Sequence, residues 1–422
     1  MIGSARAARG IAIAATLGCS AAPATVPSAA TPPRSSYART PAKWIPPGVA
    51  FSQDPSVVSF SAARGLIVVD AFVEGRDTPL RLAVDTGASI GTITADVAKE
   101  LGLAQTRPQP VQAMSSTTHM PATLLPRTRV GGLEIEPRWV YVVPGRKQEE
   151  TCDGPYRLDG VLAADVLWQV VTVIDHEAKR VRFQSTPAPM QDGEFHAEVR
   201  PGPEFVFLSS VGLAGRETPV LIDTGSAASM TVANSLLETL LVPGAVVFPF
   251  QGVAMFDATG PIEGGVFFQT VLSIGSEEVG LVRGLAMATD HDLVNLGNGL
   301  LREYLVTIDG PGAEIRLLPR PEGRSKRNPS LGFGFSRQGD HYTVGVLIEG
   351  SEVARAGVRV GDQVVELAGV RLDDLDLTGE CALRDRLRHE GSVTAIFERD
   401  SQRFEVSFAP KQLFPEPSER NE

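Results

Sequence analysis

One pattern is written twice in this chain. Gly75-Arg76-Asp77-Thr78-Pro79 leads into the apolar alternation Leu80 to Val84 and then Asp85-Thr86-Gly87-Ala88-Ser89. Gly215-Arg216-Glu217-Thr218-Pro219 leads into Val220, Leu221 and Ile222 and then Asp223-Thr224-Gly225-Ser226. The aspartate follows the turn glycine by ten positions in the first copy and by eight in the second. Side chains alternate with period two along a strand, so a difference of two keeps each aspartate on the same face. Both copies close alike, with Val170 to Asp175 then Val181 to Phe183, and with Leu305 to Asp309 then Ile315 to Leu317. Each copy is a block of short strands and glycine-containing turns, which makes the fold class mainly β. One short helix fits after each motif, at Thr94 to Leu101 and at Ala233 to Leu240, where apolar residues fall at helical intervals.

The rest of the chain divides around this repeat. At 422 residues the length calls for more than one compact unit, and 43% hydrophobic against 21% charged residues is a globular profile. A net charge of −11 repels a phosphate backbone, so a nucleic-acid partner is disfavoured. Residues 1–19 read as an export signal, with Arg6 and Arg9 before a short apolar run. Leu17-Gly18-Cys19-Ser20 resembles the lipobox of bacterial lipoproteins, which makes Cys19 a lipidation candidate; Thr16 departs from that pattern, and simple secretion stays open. Residues 20–56, rich in Ala, Pro, Ser and Thr, read as a linker, with folding expected to begin near Val57. The two blocks then occupy 57–190 and 191–319. Residues 320–330, with the basic run Arg324 to Arg327, read as an exposed linker, a third unit spans 331–409, and 410–422 form a tail. Cys19, Cys152 and Cys381 lie far apart, so no disulfide framework is expected and the last two read as free or buried thiols. The six histidines lack metal-ligand spacing, and no metal or other cofactor is implied.

A hydrophobic strand running into Asp-Thr-Gly-Ala/Ser, twice in one chain, resembles the aspartic proteases, and the short copies resemble the retropepsin type. The resemblance covers roughly Val57 to Pro319. Its closing segment is matched at Gly160-Val161-Leu162-Ala163-Ala164-Asp165-Val166-Leu167 and at Val294 to Leu301. It implies two β-barrel lobes in tandem, with Asp85 and Asp223 as a catalytic pair that activates water for endopeptidase cleavage of polypeptides. Two carboxyls close enough to share a proton cannot both ionise cheaply, so one works as base while the other works as acid. By the same resemblance Thr86 and Thr224 brace the lobes, Gly87 and Gly225 let the loops approach, and a serine such as Ser226 donates to its neighbouring carboxylate. On that basis Asp223 is expected to ionise first, with Asp85 holding the proton. Flap hairpins are expected at Met114 to His119 or Gln251 to Phe256.

The third unit resembles a PDZ domain, an α+β fold. Leu331-Gly332-Phe333-Gly334-Phe335 matches the carboxylate-binding loop, Ala356 to Asp362 matches the Ala-Gly-Leu-x-x-Gly-Asp stretch, and Glu380 to Leu387 is the facing helix. That resemblance implies recognition of peptide C-termini by strand addition. Together these readings describe a monomeric protease of the bacterial envelope, periplasmic, lipid-anchored or secreted. Ala163, in place of a glycine, and polar Asn295 depart from the protease pattern and leave room for a non-catalytic peptide-binding protein. Gly87-Ala88-Ser89-Ile90-Gly91 also satisfies the nucleophile-elbow pattern of serine hydrolases, but the duplicated strands explain the segment without it.

Overall fold

The computed structural model describes residues 44–114, 116–145, 149–152, 154–201, 207–257, 260–275, 277–289, 292–320 and 329–414. The export signal, Cys19, most of the Ala/Pro/Ser/Thr-rich segment, the Arg324 to Arg327 run and the last eight residues lie outside them. The architecture is mainly β, and its two halves follow the same path.

In the first lobe, Val68–Val73 pairs antiparallel with Leu80–Asp85. Leu80–Asp85 lies parallel to Gly160–Ala163, which in turn pairs with Thr92–Thr94. In the second lobe, Phe207–Leu213 pairs antiparallel with Arg216–Asp223, which lies parallel to Val294–Gly297, which pairs with Met230–Ala233. Each aspartate thus ends a central strand that is covered on both faces and apolar along its last turns. A short helix follows each motif. Ala95–Glu100 is capped by the Thr94 hydroxyl, which accepts from Val97 N–H, whereas the second copy forms a single 3-10 turn, Asn234–Leu236, and then Leu237–Leu240.

The closing segments pair with each other. Val171–Asp175 runs antiparallel to Tyr304–Asp309, with Val173 opposite Thr307. Arg180–Gln184 and Glu314–Pro319 flank this central pair, and Ser56–Ser59 and Phe195–Pro201 complete the sheet. The strands that end the two copies therefore build one shared platform beneath both lobes. Trp168 of the first lobe stacks on Phe207 of the second with ring centroids 4.0 Å apart. Burying such large rings across the seam adds about 1 kcal/mol beyond the area term.

The third unit has its own core around Phe333, Tyr342, Val364, Phe397 and Phe408. Its strands Phe333–Gln338 and His341–Ile348 form a hairpin, and Gln363–Leu367, Val393–Arg399 and Gln402–Phe408 continue the sheet. Asp362, nearly buried in the Gly361-Asp362 turn, accepts from Arg399 Nε at 2.6 Å and from the Arg359 backbone N–H at 2.8 Å. A buried carboxylate is tolerable only when paired and hydrogen-bonded in this way.

Three expectations are corrected. Folding begins before Val57: Trp44 packs on Tyr141 at 4.8 Å, and Val49–Phe51 pairs with Leu133–Ile135, because the aromatic and β-branched residues at the end of the linker have apolar surface to bury. The tail is built in as far as Phe414, which packs edge-on against Phe248 at 5.1 Å, while Lys411 pairs with Ser330. Cys152 and Cys381 are not free thiols; they form a disulfide across 229 positions. Sequence separation hid this pairing, because the fold places the third unit against the first lobe.

The third unit is fixed to both lobes. Cys381, on the helix Leu377–Leu387, bonds to Cys152 in the turn between Glu149–Thr151 and Gly154–Tyr156 of the first lobe. Ile348, Leu347 and Val346 pair with Phe250, Gln251 and Gly252 of the second lobe. Met114 of the first lobe joins Phe250, Met255, Ile262 and Ile348 in one apolar cluster. Both expected flap segments therefore lie in hairpins, Gln109–Gln112 with Thr117–Met120 and Phe248–Asp257 with Gly260–Ile274, and the second carries the third unit on its outer edge.

Candidate active site

The two Asp-Thr-Gly loops meet at the seam between the lobes. Their approach is set by the glycines: a Cβ built on Gly87 would lie 2.4 Å from Asp223 Oδ1, and one built on Gly225 would lie 2.3 Å from Asp85 Cγ. Each carboxyl therefore rests against the other lobe's loop, and no side chain fits at either glycine. Beneath the carboxyls the threonines exchange hydrogen bonds. Thr86 Oγ1 donates to Ile222 O at 2.6 Å, and Thr224 Oγ1 donates to Val84 O at 2.8 Å. The Thr86 backbone N–H donates to Thr224 Oγ1 at 3.0 Å, and the Thr224 backbone N–H to Thr86 Oγ1 at 3.1 Å. Every one of these bonds crosses the seam and is buried, so separating the lobes would strand several polar groups at once.

Both aspartates are buried. Asp85 Oδ1 accepts from Gly87 N–H at 2.8 Å and from Ala88 N–H at 3.0 Å. Asp223 Oδ1 accepts from Gly225 N–H at 2.9 Å. Burial pushes the Asp223 carboxyl up to about 6, against the pull of the backbone N–H groups and of Asp85. Burial also raises Asp85, well above the ordinary carboxylate range, and the neighbouring Asp223 charge raises it further. Two buried carboxyls this close cannot both ionise cheaply, so one of them keeps a proton. The directions place that proton on Asp85, with Asp223 ionising first.

The side chain that hydrogen-bonds to Asp223 differs from the sequence reading. Ser226 Oγ is buried without a hydrogen-bond partner, so it does not donate to Asp223. Asn295 does: its Nδ2 lies 3.2 Å from Asp223 Oδ2. The residue read as a departure from the pattern is thus in contact with the pair. Asn298 supports the same loop, donating through Nδ2 to Thr224 O at 2.6 Å and to Gly65 O at 3.1 Å. The sequence signal for both was two asparagines in the otherwise apolar run Val294 to Leu301, and a buried polar residue beside a functional loop is seldom idle.

Ala163 is accommodated. It stands opposite Asp85 in the strand register, as Gly297 stands opposite Asp223. A Cβ on Gly297 would lie 2.5 Å from Ala228 O, whereas Ala163 packs, fully buried, with Ala88 and Val161. The first copy has room for the methyl group and the second does not. An apolar pocket lined by Met114, Val232, Met287 and Leu293 opens beside Asn295.

The remaining predicted site residues lie in the third unit, away from the pair. Leu331 to Phe335 lead into the Phe333–Gln338 strand, with Phe333 and Phe335 buried in the core. The helix Leu377–Leu387 faces that strand. Arg384 from the helix donates to Phe335 O at 3.2 Å and lies over the Phe335 ring at 4.4 Å, bridging the two elements.

Two β lobes thus each present one buried aspartate to a common seam. Residues 69–166, most of the first lobe, match the family described as Aspartyl protease. No curated protein matches the chain. Solved structures that resemble it include the aspartic proteinase from Irpex lacteus, at a TM-score of 0.41 and 13% identity, covering 64% of this chain and 99% of that one. Basic 7S globulin from soybean also resembles it, at a TM-score of 0.35 and 12% identity, covering 64% of this chain and 95% of the other.

Proposed function

We propose that the chain is an aspartic endopeptidase that hydrolyses polypeptides with water activated between Asp85 and Asp223. The observation that carries this reading is the mutual seating of each carboxyl against the other lobe's glycine, which brings both into one buried site. Ionised Asp223 takes a proton from water while protonated Asp85 donates to the carbonyl oxygen of the scissile bond. The tetrahedral intermediate then collapses as the amine leaves with a proton, and no bond to the enzyme forms. Met114, Val232, Met287 and Leu293 line a small apolar pocket beside Asn295. One chain supplies both carboxyls, so a monomer suffices.

The third unit, read as a PDZ domain, would take peptide C-termini at Leu331 to Phe335. The strand Phe333–Gln338 and the helix Leu377–Leu387 are the elements such a ligand would lie between. The Cys152–Cys381 disulfide supports an oxidising compartment, in keeping with export to the cell envelope and a tether through Cys19. Incubating the protein with a diverse peptide mixture across acidic to neutral pH, and sequencing the products, tests the activity. New internal cleavages are expected. A protein that leaves every peptide intact while binding peptide C-termini through the third unit would be a binding protein instead.

A further inference from the structure

Equivalent positions of the two copies differ at one place beside the pair. The strand Gly160–Ala163 carries Val161 two residues before the position opposite Asp85, and Val294–Gly297 carries Asn295 two residues before the position opposite Asp223. Val161 is buried among Ala83, Ala88 and Ala163. Asn295 is equally buried, and burying an amide is unfavourable unless it finds a partner. Its partner is Asp223 Oδ2. Asp223 therefore has a donor on each oxygen, Gly225 N–H on Oδ1 and the Asn295 amide on Oδ2. Asp85 receives both of its N–H groups on Oδ1, and its Oδ2 meets no such donor among the described residues. Hydrogen bonds to a carboxylate favour its charged form, and a donor on each oxygen supports the charge on both ends of the group.

We propose that Asn295 is a positioning residue that decides which carboxyl of the pair bears the negative charge, holding Asp223 ionised so that the proton stays on Asp85. Its consequence for catalysis rests on the protease reading; the placement of charge does not. The elements packed against Asp223 are Leu80–Asp85 with its loop, Met230–Ala233 and Val294–Gly297. Among the described residues, the titratable neighbour they bring to Asp223 is Asp85, and Thr86, Thr224, Ser226 and Asn295 carry no charge. A pH effect at Asp223 that follows a change at Asn295 therefore has no ionising neighbour other than Asp85 to come from, which is why both resonances are followed.

The test is carbonyl-13C NMR of protein labelled at aspartate, with the two resonances assigned by Asp85→Asn and Asp223→Asn. Asn295→Val installs the residue the first copy uses. Its Asp223 resonance is expected to titrate about one pH unit higher, the size of one lost hydrogen bond to a charged group. Val161→Asn is the reciprocal change, adding a donor on the Asp85 side, and is expected to lower the Asp85 titration. It needs no substitution at Asn295, so it decides the matter should Asn295→Val fail to fold. In cleavage assays the acidic limb of kcat/KM is expected to move with the Asp223 resonance while KM at the optimum stays put. Titrations unchanged in folded Asn295→Val and in Val161→Asn would overturn the proposal, whether or not peptides are cleaved. Shifted titrations in a protein that cleaves nothing would sustain the charge placement and remove the protease reading.

Discussion

Replacing Asp223 by Asn should stabilise the protein at alkaline pH and leave its stability nearly unchanged in acid. The magnitude follows from burial, which raises the Asp223 carboxyl from an ordinary 3.8 to about 6. A carboxyl whose folded-state pKa lies above its unfolded value contributes stability that is fully present below the unfolded value. That contribution is lost as pH rises through the folded value, because the unfolded chain ionises first. For Asp223 the window runs from about 4 to above 6, and a displacement of roughly two pH units corresponds to about 3 kcal/mol. Asn is close in shape to the protonated acid and carries no charge at any pH. Removing the Asp223 charge also lowers the raised Asp85 carboxyl, so the difference in unfolding free energy between Asp223→Asn and the parent should grow by at least about 3 kcal/mol between pH 4 and pH 8. Asp165, also raised to about 6 by burial, titrates in both proteins and cancels in the comparison. Urea unfolding followed by tryptophan fluorescence at the two pH values gives the number. A difference independent of pH, or one that favours the parent at pH 8, would refute the reasoning that the site holds its charge at the expense of stability.

Gly87→Ala places a methyl group 2.4 Å from Asp223 Oδ1 and should lower kcat/KM by more than about 100-fold, since a displaced carboxyl loses its geometry; Gly225→Ala, against Asp85, should match it. Steady-state kinetics on folded variants checks this, and near-parental activity in either would contradict the close seating. Thr86→Val and Thr224→Val each break a side-chain bond to a carbonyl and leave a facing N–H unpaired, so each should cost about 2–4 kcal/mol by chemical denaturation. Because the two share one network, the double variant should lose less than the sum. Cys381→Ser cuts the tie between the third unit and the first lobe and should lower stability by about 2–4 kcal/mol while leaving short-peptide cleavage intact, measurable by thermal melts beside a peptide assay.

Much of this architecture was legible because it is periodic. The alternation before Asp85 and Asp223 and the matched closings at Asp175 and Asp309 reported strands, and the repeat itself reported that two aspartates share a site. Helix Ala95–Glu100 was legible from the helical spacing of the apolar residues in Thr94 to Leu101. What the sequence hid depends on distance in space. Cys152 and Cys381 gave no sign of pairing because the contact is made only when the third unit docks. The pairing of Phe250 to Gly252 with Val346 to Ile348 likewise belongs to no local pattern. Ser226 and Asn295 show the limit most plainly. The hydroxyl of the serine three positions from Asp223 makes no hydrogen bond, and the asparagine 72 positions away supplies it. Proximity along the chain favoured the first, and the parallel strand pairing that carries Asn295 under the site could not be read from either segment alone.

The central claim is that Asp85 and Asp223 act as one catalytic unit, and the rates of Asp85→Asn, Asp223→Asn and the double variant on one peptide substrate test it most directly. The account predicts that each single substitution abolishes cleavage and that the double variant is no worse than either, because neither carboxyl works without the other. Ser89→Ala should retain activity, since the mechanism forms no bond to serine. Cleavage surviving in either Asn variant, or lost with Ser89, would contradict it.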